Sequence, residues 1–206
     1  MSAPVASLRQ RVRREMAAGM LLAAEDVFAE SGLAKAHVED IARRAGVAVG
    51  TLYNYYRDRD GLLAAVLASR TDELMAELSD AVARTAGSPA RAAMVDLART
   101  YLRFVMRRPT FIRILTEGEL AHLKESYPTS ATIPAACWQS LREVFGQVIA
   151  RGVVEGTVPD RGDDLDLWLI VGMLRGVVLR YFRVGTPCRE ADADRVIGVF
   201  FDGARA

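Results

Sequence analysis

Histidine and cysteine are nearly missing from this chain of 206 residues, with two of each. Cys137 and Cys188 lie far apart and have no partners at metal-ligand spacing. They make neither a disulfide framework nor a zinc site, and a reducing, cytoplasmic setting is expected. Whether the two thiols respond to redox state stays open at this level. His37 and His122 are just as isolated. Glu117, Glu119 and His122 fall close together, yet a helix-borne metal site needs further ligands from elsewhere, so a solvated cluster is the better reading. No metal and no cofactor is expected. A Gly-rich phosphate loop, an HExxH pair and a nucleophile elbow are all lacking; no catalytic residue is assigned, and nothing supports an enzyme.

The N-terminus lacks the apolar core and cleavage pattern of a signal peptide. Only Leu165–Phe182 is apolar enough to raise a membrane question, and Asp166, Arg175 and Arg180 inside it favour a buried helix with no membrane partner. Neither sign of charge dominates. With 27 basic and 26 acidic residues the net charge is +1, which does not by itself announce a nucleic-acid partner. The distribution says more: Arg9, Arg11, Arg13 and Arg14 all precede Glu15. Such an arm either touches phosphate or is a solvated tail.

Apolar residues are plentiful, at 51%. That suffices for one sizeable domain, or for a small head plus a core domain. Between Val38 and Arg59 two short helix-compatible segments, Val38–Ala45 and Val49–Tyr55, are hinged at Gly46, where a left-handed turn residue would strain other side chains. Helix, tight turn, helix is the pattern whose second helix enters the DNA major groove. Val38, Ile41, Ala42, Ala45, Val47 and Leu52 supply its apolar face. Arg43, Arg44, Thr51, Tyr53, Asn54, Tyr55 and Arg57 remain for outside contacts. Spacing alone would also fit an ordinary helical hairpin.

The residue string decides between the two. Ala23-Ala24, Val27-Phe28, Gly32, Asp40-Ile41-Ala42, Ala45-Gly46-Val47, Gly50-Thr51-Leu52-Tyr53, Tyr55-Tyr56 and Leu62-Leu63, within Leu21–Val66, resemble the TetR family of bacterial transcriptional regulators. The rest of the chain resembles that family only in helical layout. The resemblance implies an all-α fold, with an N-terminal helix-turn-helix three-helix head (1–58) and a C-terminal helical ligand-binding and dimerisation domain (59–206). It implies a homodimer on a palindromic double-stranded DNA operator, released by a small apolar or amphipathic effector, with repression the default. A helical ligand- or partner-binding protein that has lost DNA affinity is the rival class.

Departures from the family keep that rival alive. Hydroxyl residues are usual at the positions of Ala36 and His37; a hydroxyl at 37 would cap the second helix. Ala48 stands where a capping Ser is common, and Val49 where a basic or polar residue is. Val49 can still meet a thymine methyl, while Thr51 and Asn54 are the candidates for base edges. His37 at a helix N-terminus, Tyr53, Tyr55 and Arg57 are candidates for phosphate. So is Arg59, at the family's phosphate-binding Lys position, just after a capping Asp58.

Further on, helices are expected at about Val12–Ser31, from Asp58 to about Thr85, from Pro89 (capped by Ser88) to Arg107, at about Ala135–Arg151, at Asp164–Val184 and at about Glu190–Gly203. A short helix at Phe111–Leu115 and a loop at Gly118–Pro134 separate the middle ones. Met94, Tyr101, Phe104, Phe111, Trp138, Phe145, Trp168 and Met173 lie on the helices that line the effector cavity in the family. Arg113, Glu117, Gln139 and Arg175 are candidate polar anchors. The helix beginning at Asp164 is apolar nearly all round, so one face is read as a subunit interface. Gly172 and Gly176 would let a partner helix approach, with Val196 and Phe200 from the last helix beside them.

Overall fold

The computed structural model describes residues 8–112, 114 and 135–203, with the side chains of 135–138 outside that description. Regular structure among these residues is entirely α-helical: α1 (Leu8–Ser31), α2 (Val38–Ala45), α3 (Val49–Tyr55), α4 (Arg59–Arg84), α5 (Ala90–Arg107), α6 (Ala135–Val154), α7 (Leu165–Val184) and α8 (Glu190–Gly203). Residues 109–112 are helical as well. Two compact units divide between Ser69 and Arg70, so α4 contributes to both.

The first unit is the expected three-helix head with the first turns of α4. Helix α1 already includes Leu8, four residues before the expected start, because nothing from Leu8 to Val12 breaks a helix. It stops at Gly32, whose φ of 76° only glycine adopts easily. Gly46 closes α2 in the left-handed conformation (φ 69°, ψ 30°), and the Val47 N–H reaches back to the Ala42 carbonyl at 3.0 Å. Met20, Ala24, Phe28, Ile41, Leu52 and Leu63 interlock in a closed core. Leu52 is the one fully buried side chain of the seven-residue α3. Burial of a Leu is worth about 1.5–3 kcal/mol, which a helix of two turns cannot supply by hydrogen bonding alone.

The head's caps are uneven. Asp58 Oδ1 accepts the Gly61 N–H at 2.7 Å and caps α4. His37 and Ala48 stand at the N-caps of α2 and α3 with extended backbones, and neither side chain caps.

In the second unit the start of α5 differs from expectation. Pro89 is the N-cap residue, and the Ala90 N–H donates not to Ser88 but to the Glu155 carboxylate (2.8 and 3.1 Å). Arg151 donates from the same end of α6 to the Thr85 and Ser88 carbonyls at 2.6 and 3.0 Å. Helix α6 runs through Gly152 rather than stopping there. A Cβ at Gly152 would lie 2.7 Å from Val158 Cγ2, so glycine is needed for close approach, and the chain turns at Gly156 (φ 69°). Ion pairs tie α4 to the end of α5: Arg107 donates to Glu77 at 2.5 and 2.7 Å, and Glu73 accepts from Arg108 and Arg70 at 2.7 Å each. Burial would raise the Glu73 carboxyl, but the two arginines outweigh it and hold the group below its ordinary value.

The uncapped start of α2 generates a prediction. At His37 the backbone (φ −97°, ψ 144°) already has the N-cap conformation. Thermal unfolding of His37→Thr should show a gain of about 1 kcal/mol; an unchanged or lower melting temperature would mean the hydroxyl does not cap.

Candidate nucleic-acid interface

Helix α3 turns one face inward through Leu52 and leaves Tyr53 and Asn54 exposed, with Val49 and Thr51 half-buried. Arg57 and His37 are exposed too. The base-edge candidates Val49, Thr51 and Asn54 are thus on a helix whose position is set by core packing.

The expected outside contacts divide once the side chains are placed. Arg44 forms a two-pronged pair with Glu30 of α1 (2.8 and 2.6 Å), with Asp26 at 3.8 Å. Arg43 pairs with Asp40 on its own helix. Arg59 Nε donates to the Ala36 carbonyl at 3.1 Å, and its guanidinium lies 6.0 Å from the centre of the Phe28 ring. These three arginines brace the head as well as carrying its charge. Tyr55 is half-buried, its hydroxyl 3.8 Å from Met16 Sδ and its ring 5.4 Å from the Arg13 guanidinium. Tyr56 donates to the Ala17 carbonyl at 3.3 Å; burial, with Tyr55 adding to it, raises its phenol above the ordinary value. The sequence pattern gave no signal for the contacts of Arg44, Arg59 and Tyr56, which join residues 14 to 39 positions apart.

The second unit holds the residues expected around an effector. Met94, Phe104, Phe111 and Phe145 are core, with Phe104 and Phe111 edge to face at 6.0 Å. Tyr101 and Met173 are half-buried. Arg113, Glu117 and the side chain of Trp138 lie outside the described residues, as do the Glu119 and His122 of the acidic cluster. Trp168, 51% exposed, is different: with Gln139, Arg142, Glu143, Asp164 and Leu167 it lines a cleft of about 670 Å³ between α6 and α7. Met94, Phe104, Phe111 and Phe145 are thus packed inside the unit, and one open cleft among the described residues sits beside Trp168.

Exposure also revises the last helix. Val196 and Phe200, expected at a subunit interface, are already covered within the chain, and Val199 is the exposed apolar residue of α8. Gly172 and Gly176 are exposed on α7, in line with the exposed Leu165 and Leu169. Cys188 is buried; burial and, next, Asp192 raise its thiol above the ordinary value, so little thiolate is present. No helix among the described residues is long and apolar enough to cross a membrane.

A three-helix head with a glycine-hinged second pair and an outward polar face on the last helix is the helix-turn-helix of a DNA-binding protein. Residues 20–66 match the family model described as bacterial regulatory proteins, tetR family. The chain thus carries the tetR-family DNA-binding domain, a match that together with the relatives below supports a TetR family transcriptional regulator. It is 26% identical over 184 residues to the HTH-type transcriptional repressor KstR2 of Rhodococcus jostii, covering 87% of this chain and 86% of that one. Identity to the regulator BetI 2 of Chromohalobacter salexigens is 42%, over 72 residues, 35% of this chain and 31% of that. In fold it is similar to the regulator FadR of Bacillus subtilis in complex with stearoyl-CoA (TM-score 0.77, 18% identity, 90% of this chain and 98% of that). PfmR of Thermus thermophilus gives a TM-score of 0.69 at 21% identity, covering 89% and 97%.

Arg59 offers a direct check on the bracing role. Arg59→Ala should lower the melting temperature of the chain as well as any DNA affinity. A full-strength fold with only DNA binding lost would make Arg59 a contact residue alone.

Proposed function

We propose that the chain is a ligand-responsive repressor, which binds a palindromic double-stranded operator as a homodimer and is released by a small apolar or amphipathic effector. The observation that carries this is α3: Leu52 anchors it, and Asn54, Thr51 and Val49 are left on its outer side. The reading divides labour between a DNA head at 1–58 and an effector and dimer domain at 59–206. Arg43, Arg44, Tyr53, Tyr55, Arg57, Arg59 and His37 would fix register on phosphates, and Asn54 would read adenine through two hydrogen bonds. Two heads related by a twofold axis would enter major grooves about 34–36 Å apart or at a nearby spacing.

For the dimer, the exposed stripe of Leu165, Leu169, Gly172 and Gly176 on α7 is the favoured surface, because two glycines one turn apart admit a partner helix closely. For the effector, the cleft beside Trp168 is favoured. Its Leu167 and Trp168 suit an apolar body and its Arg142 an anionic end. The complex of FadR with stearoyl-CoA supports an amphipathic effector, and the repressor KstR2 supports repression. Release requires only that the effector bind the non-operator state more tightly than the operator-bound state. The rival, a helical ligand-binding protein without DNA affinity, draws on Ala48 and Val49, which donate no side-chain hydrogen bond at the start of α3.

The test is selection of duplexes from a random library by the purified chain, followed by titration. The repressor reading predicts a palindrome bound at least about 1000-fold more tightly than unrelated DNA; no binding even at low salt would leave the rival. On the selected duplex, Asn54→Ala should relax preference at particular base pairs, whereas Arg57→Ala should weaken all sequences alike. Equal losses at every operator variant for both would mean that Asn54 reads no base. Dimerisation is separable: Gly176→Leu should sediment as monomer, and a persistent dimer would move the interface off α7.

A further inference from the structure

We infer that the cleft between the first turns of α1 and the end of α3 is a second DNA-backbone site, in which Arg9 and Arg13 hold phosphates beside the groove that Asn54 enters. This rests on the DNA-binding reading above and adds to it residues from outside the helix-turn-helix. The cleft encloses about 640 Å³, and Arg9, Arg13, Asn54 and Tyr55 line it together. Two guanidinium groups thus share this cleft with the residue assigned to a base edge. Phosphates flank every base that a groove-borne side chain reaches, so cations at this place meet the backbone directly.

Three observations converge on the site. Arg9 and Arg13 are one helical turn apart, about 6 Å along α1, and share one side of it. Arg13 is further oriented by the Tyr55 ring, 5.4 Å from its guanidinium. The floor is apolar: Leu8, Val12 and Met16 recur every fourth residue and are 67%, 45% and 38% exposed. A sugar–phosphate strand alternates apolar deoxyribose with anionic phosphate, and a wall that alternates aliphatic and guanidinium groups matches it. Finally, the nearby charges on α2 are engaged, Arg43 by Asp40 and Arg44 by Glu30, and α3 starts without a side-chain donor at Ala48 or Val49. Anchoring to the backbone is therefore shared with α1, whose Arg9 and Arg13 add to the phosphate contacts assigned to the helix-turn-helix. Arg11 and Arg14 belong to other sides of the same helix by its 3.6-residue repeat and do not line the cleft.

The experiment is a fluorescence-anisotropy titration of the full chain against the duplex it selects and an unrelated duplex of equal length, at several salt concentrations. Arg9→Ala and Arg13→Ala should each weaken both duplexes by the same factor, about 5–10-fold, and lower the salt slope by roughly one. Arg11→Ala and Arg14→Ala, with the same change in net charge, should fall well short of that. Arg13→Lys should keep the slope. Unchanged affinity in the Arg9 and Arg13 variants, or equal losses for all four arginines, would overturn the site. A loss confined to one operator base pair would make Arg13 a base reader and overturn the phosphate assignment. A wild-type chain that binds neither duplex would overturn the regulator reading and this site with it, whereas wild-type binding with normal Arg9 and Arg13 variants overturns the site alone.

Discussion

Burial of Leu52 is the contact on which the head depends. Helix α3 has seven residues, no capping side chain at Ala48, and no acidic group in its first turn. An isolated helix of that length does not persist in water. Its place is fixed because Leu52 is fully buried with Ile41, Phe28 and Leu63 in the head's core, and because Tyr56 hydrogen-bonds to Ala17 of α1. The outer residues are then presented by a support that the buried side chains hold in place. That separation lets Ala48 and Val49 depart from the family without loss of the motif.

Around this core, arginine has two jobs. Arg44 and Arg59 stitch α2 and α4 to the rest of the head through Glu30 and the Ala36 carbonyl. Arg107 and Arg108 do the same between α4 and α5 through Glu77 and Glu73. Exposed ion pairs of this kind are individually weak and are screened by salt. The pairs of Glu73 and Glu77 join the middle of α4 to the end of α5.

Much of the fold was legible in the sequence, for local reasons. Gly32 and Gly46 stop helices by adopting positive φ, Asp58 caps α4, and apolar residues at 3.6-residue spacing mark which faces go inward. What escaped was non-local. Glu155 caps α5 from 65 positions away, and Gly152 serves the approach of Val158 rather than a helix stop. At the candidate site the string from Val49 to Tyr55 identified the second helix of the helix-turn-helix, because turn chemistry and core pattern coincide there. It did not reveal that Arg44 and Arg59 have partners inside the head, nor that Arg13 stacks on Tyr55. The effector residues were the least legible. Met, Phe and Trp at helical spacing look alike whether they fill a core, as Phe104 and Phe145 do, or edge a cleft, as Trp168 does.

Helix α3, held by Leu52, is the surface we propose meets DNA. Amide hydrogen exchange of the intact chain, with and without a duplex it has selected, tests this most directly. Slowing on DNA should be concentrated at residues 49–57 and in the first turns of α1. Exchange there that is unchanged by DNA, with protection elsewhere or nowhere, would contradict it.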